Sequence, residues 1–298
     1  MVGSIADGGS ATQSSATLDG AHELRPRMMS VAYRMLGSVV DAEDAVQDAF
    51  LRLQNARDVR SPEGFLIRTT TRRCIDHLRA ARRRESYIGP WVPEPVDTST
   101  GMHDASMEES LSQGFLLMLE RLSPRERAAF VLRTVFDYEF SEVAECLGVS
   151  EAYVRKIVSR AKAHLAEAVP RFRPPPEKAV ELAEQFVAAC RAGDVKTVEQ
   201  LLTDDVEAHS DGGGKVFAAR VVVRGRARVA KYLSVVFHKK RRGCEMHAAT
   251  VNGDPGVFFT QDGVVKHVVS LRIEHGVSGV YMSVNPEKLA RWSVAKVD

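Results

Sequence analysis

Between positions 140 and 165 apolar residues recur in two helical runs separated by Gly148-Val149-Ser150. Val143, Ala144 and Leu147 share one face of the first run. Val154, Ile157, Val158, Ala161 and Leu165 share one face of the second, at the 3.6-residue period of an α-helix. Gly148 stands where the turn needs a left-handed backbone, and Ser150 can cap the second helix. That helix turns Tyr153, Arg155, Lys156, Ser159, Arg160 and Lys162 outward. The pattern predicts a helix-turn-helix whose second helix suits a DNA major groove. An ordinary helical hairpin with a solvated basic face has the same pattern.

The same period runs through most of the first half. Leu24, Met28, Val31, Ala32, Met35 and Leu36 form one stripe, closed by Gly37. A second helix is predicted from an Asp41 cap, with Ala45, Val46, Ala49, Phe50 and Leu53 inward. Its other face carries Asp44, Gln47, Asp48 and Leu51. A leucine among acids points to a partner surface, with a merely solvated acidic face as the alternative. Ser61 and Pro62 then start a third helix, with Phe65, Leu66, Thr69, Ile75 and Leu78 inward. Arg68, Arg72, Arg73, Arg79, Arg82, Arg83 and Arg84 crowd this helix and its end. Such density suits a phosphate track, although solvation and complementation of the helix dipole would also use it.

Periodicity stops over residues 87–105, where Pro, Gly, Ser and Thr mark a linker. Trp91 among prolines is expected to dock on another domain. Leu111, Phe115, Leu116, Met118, Leu119 and Leu122 resume a helical core, and Ser123-Pro124-Arg125-Glu126 reads as a capping box. The prolines at 174–176 are the clearest boundary in the chain. Beyond them helices are expected over 178–192, 193–202 and 225–237. Strands are expected over 206–210, 216–224, 245–252, 256–261, 264–274 and 279–284. Helices followed by a strand meander predict an α+β domain with one curved antiparallel sheet around a cone-shaped pocket.

The expected organisation is a disordered tail at 1–21, helical domains at 22–86 and 106–171, linkers at 87–105 and 172–177, and the α+β domain at 178–298. The 298 residues carry a net charge of only +2, so any nucleic-acid surface must come from local clustering. Cys74, Cys146, Cys190 and Cys244 lack ligand spacing and read as free thiols of a reducing compartment. No metal or cofactor is implied. No apolar run is long enough to span a membrane, and the N-terminal residues lack the form of a secretory leader. The expected location is the cytoplasm.

Three blocks carry a family resemblance. DAEDAVQDAFLRL, GFLIRTTTRRCIDHLRAARRR and the stretch from LSPRERAAFVLR through FSEVAECLGVSEAYVRKIVSRAKAHL resemble the conserved regions of an extracytoplasmic-function (group 4) RNA polymerase sigma factor. The resemblance implies two all-α sigma domains. It makes Asp44, Gln47, Asp48 and Leu51 a contact to the polymerase core enzyme. Arg68, Arg72, Arg73, Asp76, Arg79, Arg82 and Arg83 would act at the −10 promoter element. Tyr153, Arg155, Lys156, Ser159, Arg160 and Lys162 would act at the −35 element. Arg72 departs from the pattern, standing where many relatives have Asn ahead of Asp76.

The C-terminal part resembles a SnoaL-like domain of the NTF2-like fold, which one sigma subgroup carries in place of a separate anti-sigma factor. The motifs are WVPEP with Trp91, Pro93 and Glu94; DGGGK with Asp211, Gly212, Gly213, Gly214 and Lys215; and NPEKL with Asn285 and Pro286. The resemblance implies regulation in cis, with these residues at an interdomain contact. For DGGGK the residues alone allow a plain hairpin turn between 206–210 and 216–224 instead. SnoaL relatives include cyclases, so Asp211, His209 and His267 are candidate general bases, yet no nucleophile with a paired base is evident. A small-molecule ligand in the cone is the more economical expectation. A helix-turn-helix activator with a ligand-sensing tail is the alternative for the whole chain.

Overall fold

A computed structural model describes residues 20–80, 87–99, 111–165, 174–239 and 243–292. Nearly all of the tail expected at 1–21, together with Arg82, Arg83 and Arg84, lies outside the described residues. The chain forms two compact units. One holds Met1–Arg82 and Leu122–His164; the other holds Arg83–Arg121 and Leu165–Asp298. The two stretches expected as separate helical domains therefore share one unit, which the chain leaves and re-enters. The expected boundary at 106 falls at Leu122.

In the first unit, α1 (Arg25–Leu36) buries Met28, Val31, Ala32, Met35 and Leu36. Gly37, at φ 64°, closes it by donating to the Tyr33 carbonyl. Helix α2 (Val39–Asn55) buries the expected Ala45, Val46, Ala49, Phe50 and Leu53. Its cap is Ser38 rather than Asp41. The extended residue after Gly37 is the one placed to accept from the Asp41 N–H, and Asp41 sits within the first turn, where its charge opposes the helix dipole. In α3 (Pro62–Ala80) the buried face is Leu66, Ile67, Thr70, Thr71, Cys74 and Ile75. It is broader than the expected stripe because a second helix, α6, covers α3 from another side. Phe65, Thr69 and Leu78 are only half-buried.

The chain re-enters after α4, described below with the second unit. Helix α5 (Pro124–Phe130) starts on a complete Ser123/Glu126 capping box and runs into a π-helical turn, Val131–Val135. Next come α6 (Phe140–Leu147), Gly148 at φ 66°, and α7 (Glu151–Leu165). Val143, Ala144, Val154, Ile157, Val158, Ala161 and Leu165 are buried as their spacing requires. Burying each of the larger ones stabilises the unit by about 1.5–3 kcal/mol.

The second unit contains α4 (Gln113–Leu119), α8 (Pro176–Ala192), α9 (Val195–Leu201), β1 (Leu202–Asp211), β2 (Val223–Arg224), α10 (Arg226–Ser234), β3 (Glu245–Val251), β4 (Asp254–Gln261), β5 (Val264–Ile273), β6 (Val277–Ser283) and α11 (Pro286–Leu289). The sheet order is β2-β1-β6-β5-β4-β3. Neighbours are antiparallel except β1 and β6, which run parallel. The β3–β6 meander lies between these two strands in the chain and gives a crossover long enough for parallel pairing. The Val-rich stretch expected as a strand over 216–224 contributes only Val223 and Arg224 to the ladder. Ahead of them the chain turns at Gly212 and leaves the sheet, and Phe217 and Val221 face solvent. Phe186, Leu233, Phe237, Phe259, Leu271 and Met282 fill the core between helices and sheet.

Candidate nucleic-acid interface and linker dock

On α2, Asp44, Gln47 and Leu51 are exposed, Leu51 at 50%. Asp48 differs: its Oδ2 lies 2.9 Å from both Arg52 Nε and Arg73 Nε, which ties α2 to α3. The arginines of α3 are also engaged. Arg68 Nη1 lies 2.8 Å from Glu145 Oε1, and Arg72 Nε donates to the Cys146 carbonyl at 3.2 Å. Both partners belong to α6, the first helix of the helix-turn-helix. Arg79 sits 3.7 Å from Asp76 in its own helix.

On α7, Tyr153, Lys156, Ser159 and Lys162 are exposed beside Arg155. Arg155 stacks 4.1 Å over the Phe140 ring and pairs with Glu151. Arg160 Nε meets Glu126 Oε1 at 2.5 Å. Burial pushes the Glu126 carboxyl up, but hydrogen bonds from Ser123 and Arg160 outweigh it and bring it down to about 2.

Two buried arginines escaped the sequence reading. Arg127 Nη1 donates to the Met35 carbonyl at 2.8 Å, and Arg34 lies under the Phe136 ring, its pKa lowered by burial to about 10. Nothing in their spacing separates them from surface arginines.

In the second unit the three short motifs converge on Asp211, which is fully buried. Its Oδ1 accepts from Tyr87 Oη at 2.5 Å and Gly213 N at 3.0 Å. Its Oδ2 accepts from Val92 N at 2.8 Å and Lys288 Nζ at 2.6 Å. Lys288 also donates to the Val92 carbonyl and lies 4.5 Å from the Trp91 ring centroid. Asn285 caps α11 and donates to Tyr87 Oη at 3.2 Å. Lys215 pairs with Glu287. Burial, then the bond to Asp211, pushes the Tyr87 hydroxyl up.

The glycines of the loop are set by close approach. Gly213 and Gly214 have φ 59° and 74°, and a Cβ on them would meet Asn285 Nδ2 at 2.4 Å and Ile88 Cδ1 at 2.9 Å. A Cβ on Gly212 would lie 2.4 Å from the Val216 carbonyl. This geometry is not a plain hairpin turn.

Residues 87–99 continue along the β3 edge. Val96 exchanges hydrogen bonds with Asn252, Thr98 N donates to the Thr250 carbonyl, and Trp292 Nε1 donates to the Pro95 carbonyl. Gln113 bridges the Pro93 carbonyl and Ser270 Oγ, each at 2.7 Å, while Asn252 Nδ2 reaches the Leu111 carbonyl. These bonds place α4 in this unit. Pro93 and Glu94 are buried. Tyr87, Gln113, Asn252 and Trp292 had no motif to announce them; Lys288 lay inside NPEKL.

The three candidate bases are not assembled. Asp211 is saturated by four donors. His209 pairs with Glu207 at 3.0 Å and tilts against Tyr281, and His267 meets the edge of Phe259. Among the described residues no helix is long and apolar enough to cross a membrane.

Comparison with known proteins fits this layout. Residues 21–84 match the Sigma-70 region 2 family, 112–165 the Sigma-70 region 4 family, and 183–275 the SnoaL-like domain. The ECF RNA polymerase sigma factor SigJ of Mycobacterium tuberculosis is 36% identical over 282 residues, covering 89% of this chain and 90% of that protein. The chain belongs to the ECF RNA polymerase sigma factors. A probable ECF sigma factor SigI of the same species is 30% identical over 276 residues, with 89% and 92% covered. The crystal structure of SigJ superposes with a TM-score of 0.73 at 33% identity, over 90% of this chain and 96% of that one. The sigma factor thus carries regions 2 and 4 followed by an α+β SnoaL-like domain. The first ten residues of its region 4 match pack in the second unit.

Proposed function

We propose that this sigma factor directs promoter-specific initiation by RNA polymerase and is held in check by its own linker dock. Asp44, Gln47 and Leu51 of region 2 would face the core enzyme. The α3 arginines would capture the −10 element, with Arg82 and Arg83 extending the track. Tyr153, Arg155, Lys156 and Ser159 would read −35 base edges, with Arg160 and Lys162 on phosphates. The chemistry of RNA synthesis belongs to the polymerase.

The carrying observation is Asp211, buried with four donors from the linker, its own loop and α11. Its effect follows from reach. The two promoter elements lie about 25 base pairs apart, roughly 85 Å of duplex at 3.4 Å per step. A compact unit of this size has a radius of gyration of roughly 14 Å, so regions 2 and 4 must separate to engage both. Freed, residues 83–121 could span roughly 130 Å at full extension. Held along β3 and under Asp211, they cannot. The contacts of Arg68 and Arg72 with α6 favour the same closed state.

Asp211→Asn in the full chain is expected to free residues 87–99 to hydrogen exchange. With core enzyme, it should raise transcription several-fold from a promoter selected out of a random library. Freed residues with unchanged transcription would remove the brake from the scheme.

A ligand in the cone would act beside this dock. A cavity of about 660 Å³ lies between α8 and β3–β4, lined by Val180, Val187, Met246, Val257 and the linker residue Ser99. A small apolar molecule there would bear directly on the linker.

A further inference from the structure

From 212 to 244 the sequence holds ten Lys and Arg and no Asp or Glu. At the chain's own acid content, 39 in 298, about four acids would be expected there. Six of these cations fall between positions 215 and 231, within described residues, and divide into two sets. Lys215, Arg224 and Arg226 are neutralised: Lys215 by Glu287, Arg224 by Glu207 at 2.7 Å and Arg226 by Asp204 at 3.0 Å. Glu207 and Asp204 both lie on β1, so the latter two pairs fasten β2 and the start of α10 to the sheet. Arg220, Arg228 and Lys231 are exposed and have no acidic partner among the described residues.

Arg228 and Lys231 stand one turn apart on the outer face of α10, where like charges repel unless an anion lies over them. Arg220 lies on the loop before β2, flanked by Phe217 at 86% and Val221 at 71% exposure. Arginine with exposed apolar side chains suits a nucleic-acid backbone better than a protein carboxylate cluster. The guanidinium forks onto phosphate, and the apolar groups can lie against the sugars. A plain solvated face would mix acids among its cations.

We infer that Arg220, Arg228 and Lys231 form a sequence-independent contact to the phosphate backbone of duplex DNA, made by the SnoaL-like domain itself. This goes beyond the promoter contacts proposed for regions 2 and 4, and rests on the reading that the sigma factor works on DNA. The contact carries no base preference, so it adds affinity at any sequence.

The test is titration of the full chain with a fluorescein-labelled 40-base-pair duplex of random sequence across a salt series. Each phosphate contact contributes about 0.9 to the slope of log affinity against log salt. Arg220→Gln, Arg228→Gln and Lys231→Gln together should lower that slope by two to three. Affinity should fall at least tenfold at low salt, with the thermal midpoint unmoved. The charge-preserving pair Arg220→Lys and Arg228→Lys should keep the wild-type slope. An unchanged slope in the triple variant overturns the inference, as does an equal loss in the lysine pair. A drop only in core-enzyme capture would overturn it in favour of an acidic polymerase surface. Binding to phosphatidylglycerol vesicles that vanishes in Phe217→Ala, with the duplex slope unchanged, would overturn it in favour of lipid. Core-enzyme capture by the wild type is a separate readout, so failure here leaves the sigma assignment standing.

Discussion

The two units hold themselves together differently. In the helical unit the links between α3 and α6 are partly exposed: Arg68 and Glu145 pair with side chains 32% and 75% accessible. Such pairs contribute roughly 0–1 kcal/mol each. In the sheet-containing unit the corresponding polar link is Asp211 with Lys288, side chains 0% and 12% accessible, with three further donors on the same carboxylate. Removing one member of a buried pair leaves the other charge uncompensated and costs about 3–5 kcal/mol. The lesson is a division of labour. Weak, exposed pairs join α3 to α6, whereas the linker is fixed on a buried carboxylate.

The sharpest way to break that contrast is Asp211→Ala. Both tryptophans, Trp91 and Trp292, lie in the sheet-containing unit, so tryptophan fluorescence follows it alone. The denaturant midpoint seen by fluorescence should fall by the equivalent of about 3–5 kcal/mol. A loss below about 1 kcal/mol would erase the distinction. Arg127→Ala comes next. It strips the buried Met35 carbonyl of a charged donor in the helical unit and should cost about 2–3 kcal/mol. That loss should appear in far-UV circular dichroism and leave the fluorescence transition in place; a coupled shift would mean the units unfold as one.

Acid sharpens the comparison further. Glu126 is held at about 2 against an ordinary 4.5. A folded-state value below the unfolded one means its contribution is complete above about pH 4.5 and disappears as pH falls towards 2. The helical unit should lose on the order of 1–2 kcal/mol over that window, and Glu126→Gln should flatten this part of the profile. Smallest of all is Arg68→Ala, expected to cost under about 1 kcal/mol while raising the rate at which regions 2 and 4 separate. Fluorescence energy transfer between labels on α3 and α6 would read that rate.

Much of this was legible in the residues, and the exceptions share a cause. The stripes of α2 and α7 follow a single period because each buries one face, whereas α1 is buried on all sides from Val31 to Leu36. The stripe of α3 misleads because α6 packs on it from a second side and recruits Ile67, Thr70 and Thr71. The valines at 221–223 read as a strand, but the Gly212 turn takes the chain out of the ladder before Val223. At the dock, the glycines of DGGGK announced close approach without saying to what. The answer, Asn285 and Ile88, lies 72 and 126 positions from Gly213 and Gly214 in a chain folded over a six-stranded sheet. Arg127 was invisible for a simpler reason: burial of a charge depends on which carbonyl waits at the far end.

Because the chain leaves the helical unit after Arg82 and returns at Leu122, the order of synthesis matters. Lys288, which completes the ring of donors on Asp211, emerges more than a hundred residues after the helix-turn-helix ends at Leu165. At about 5–20 residues per second the ribosome needs roughly 6–25 seconds to cover that gap. For that interval each newborn copy carries both helical regions before the ring of donors around Asp211 can close.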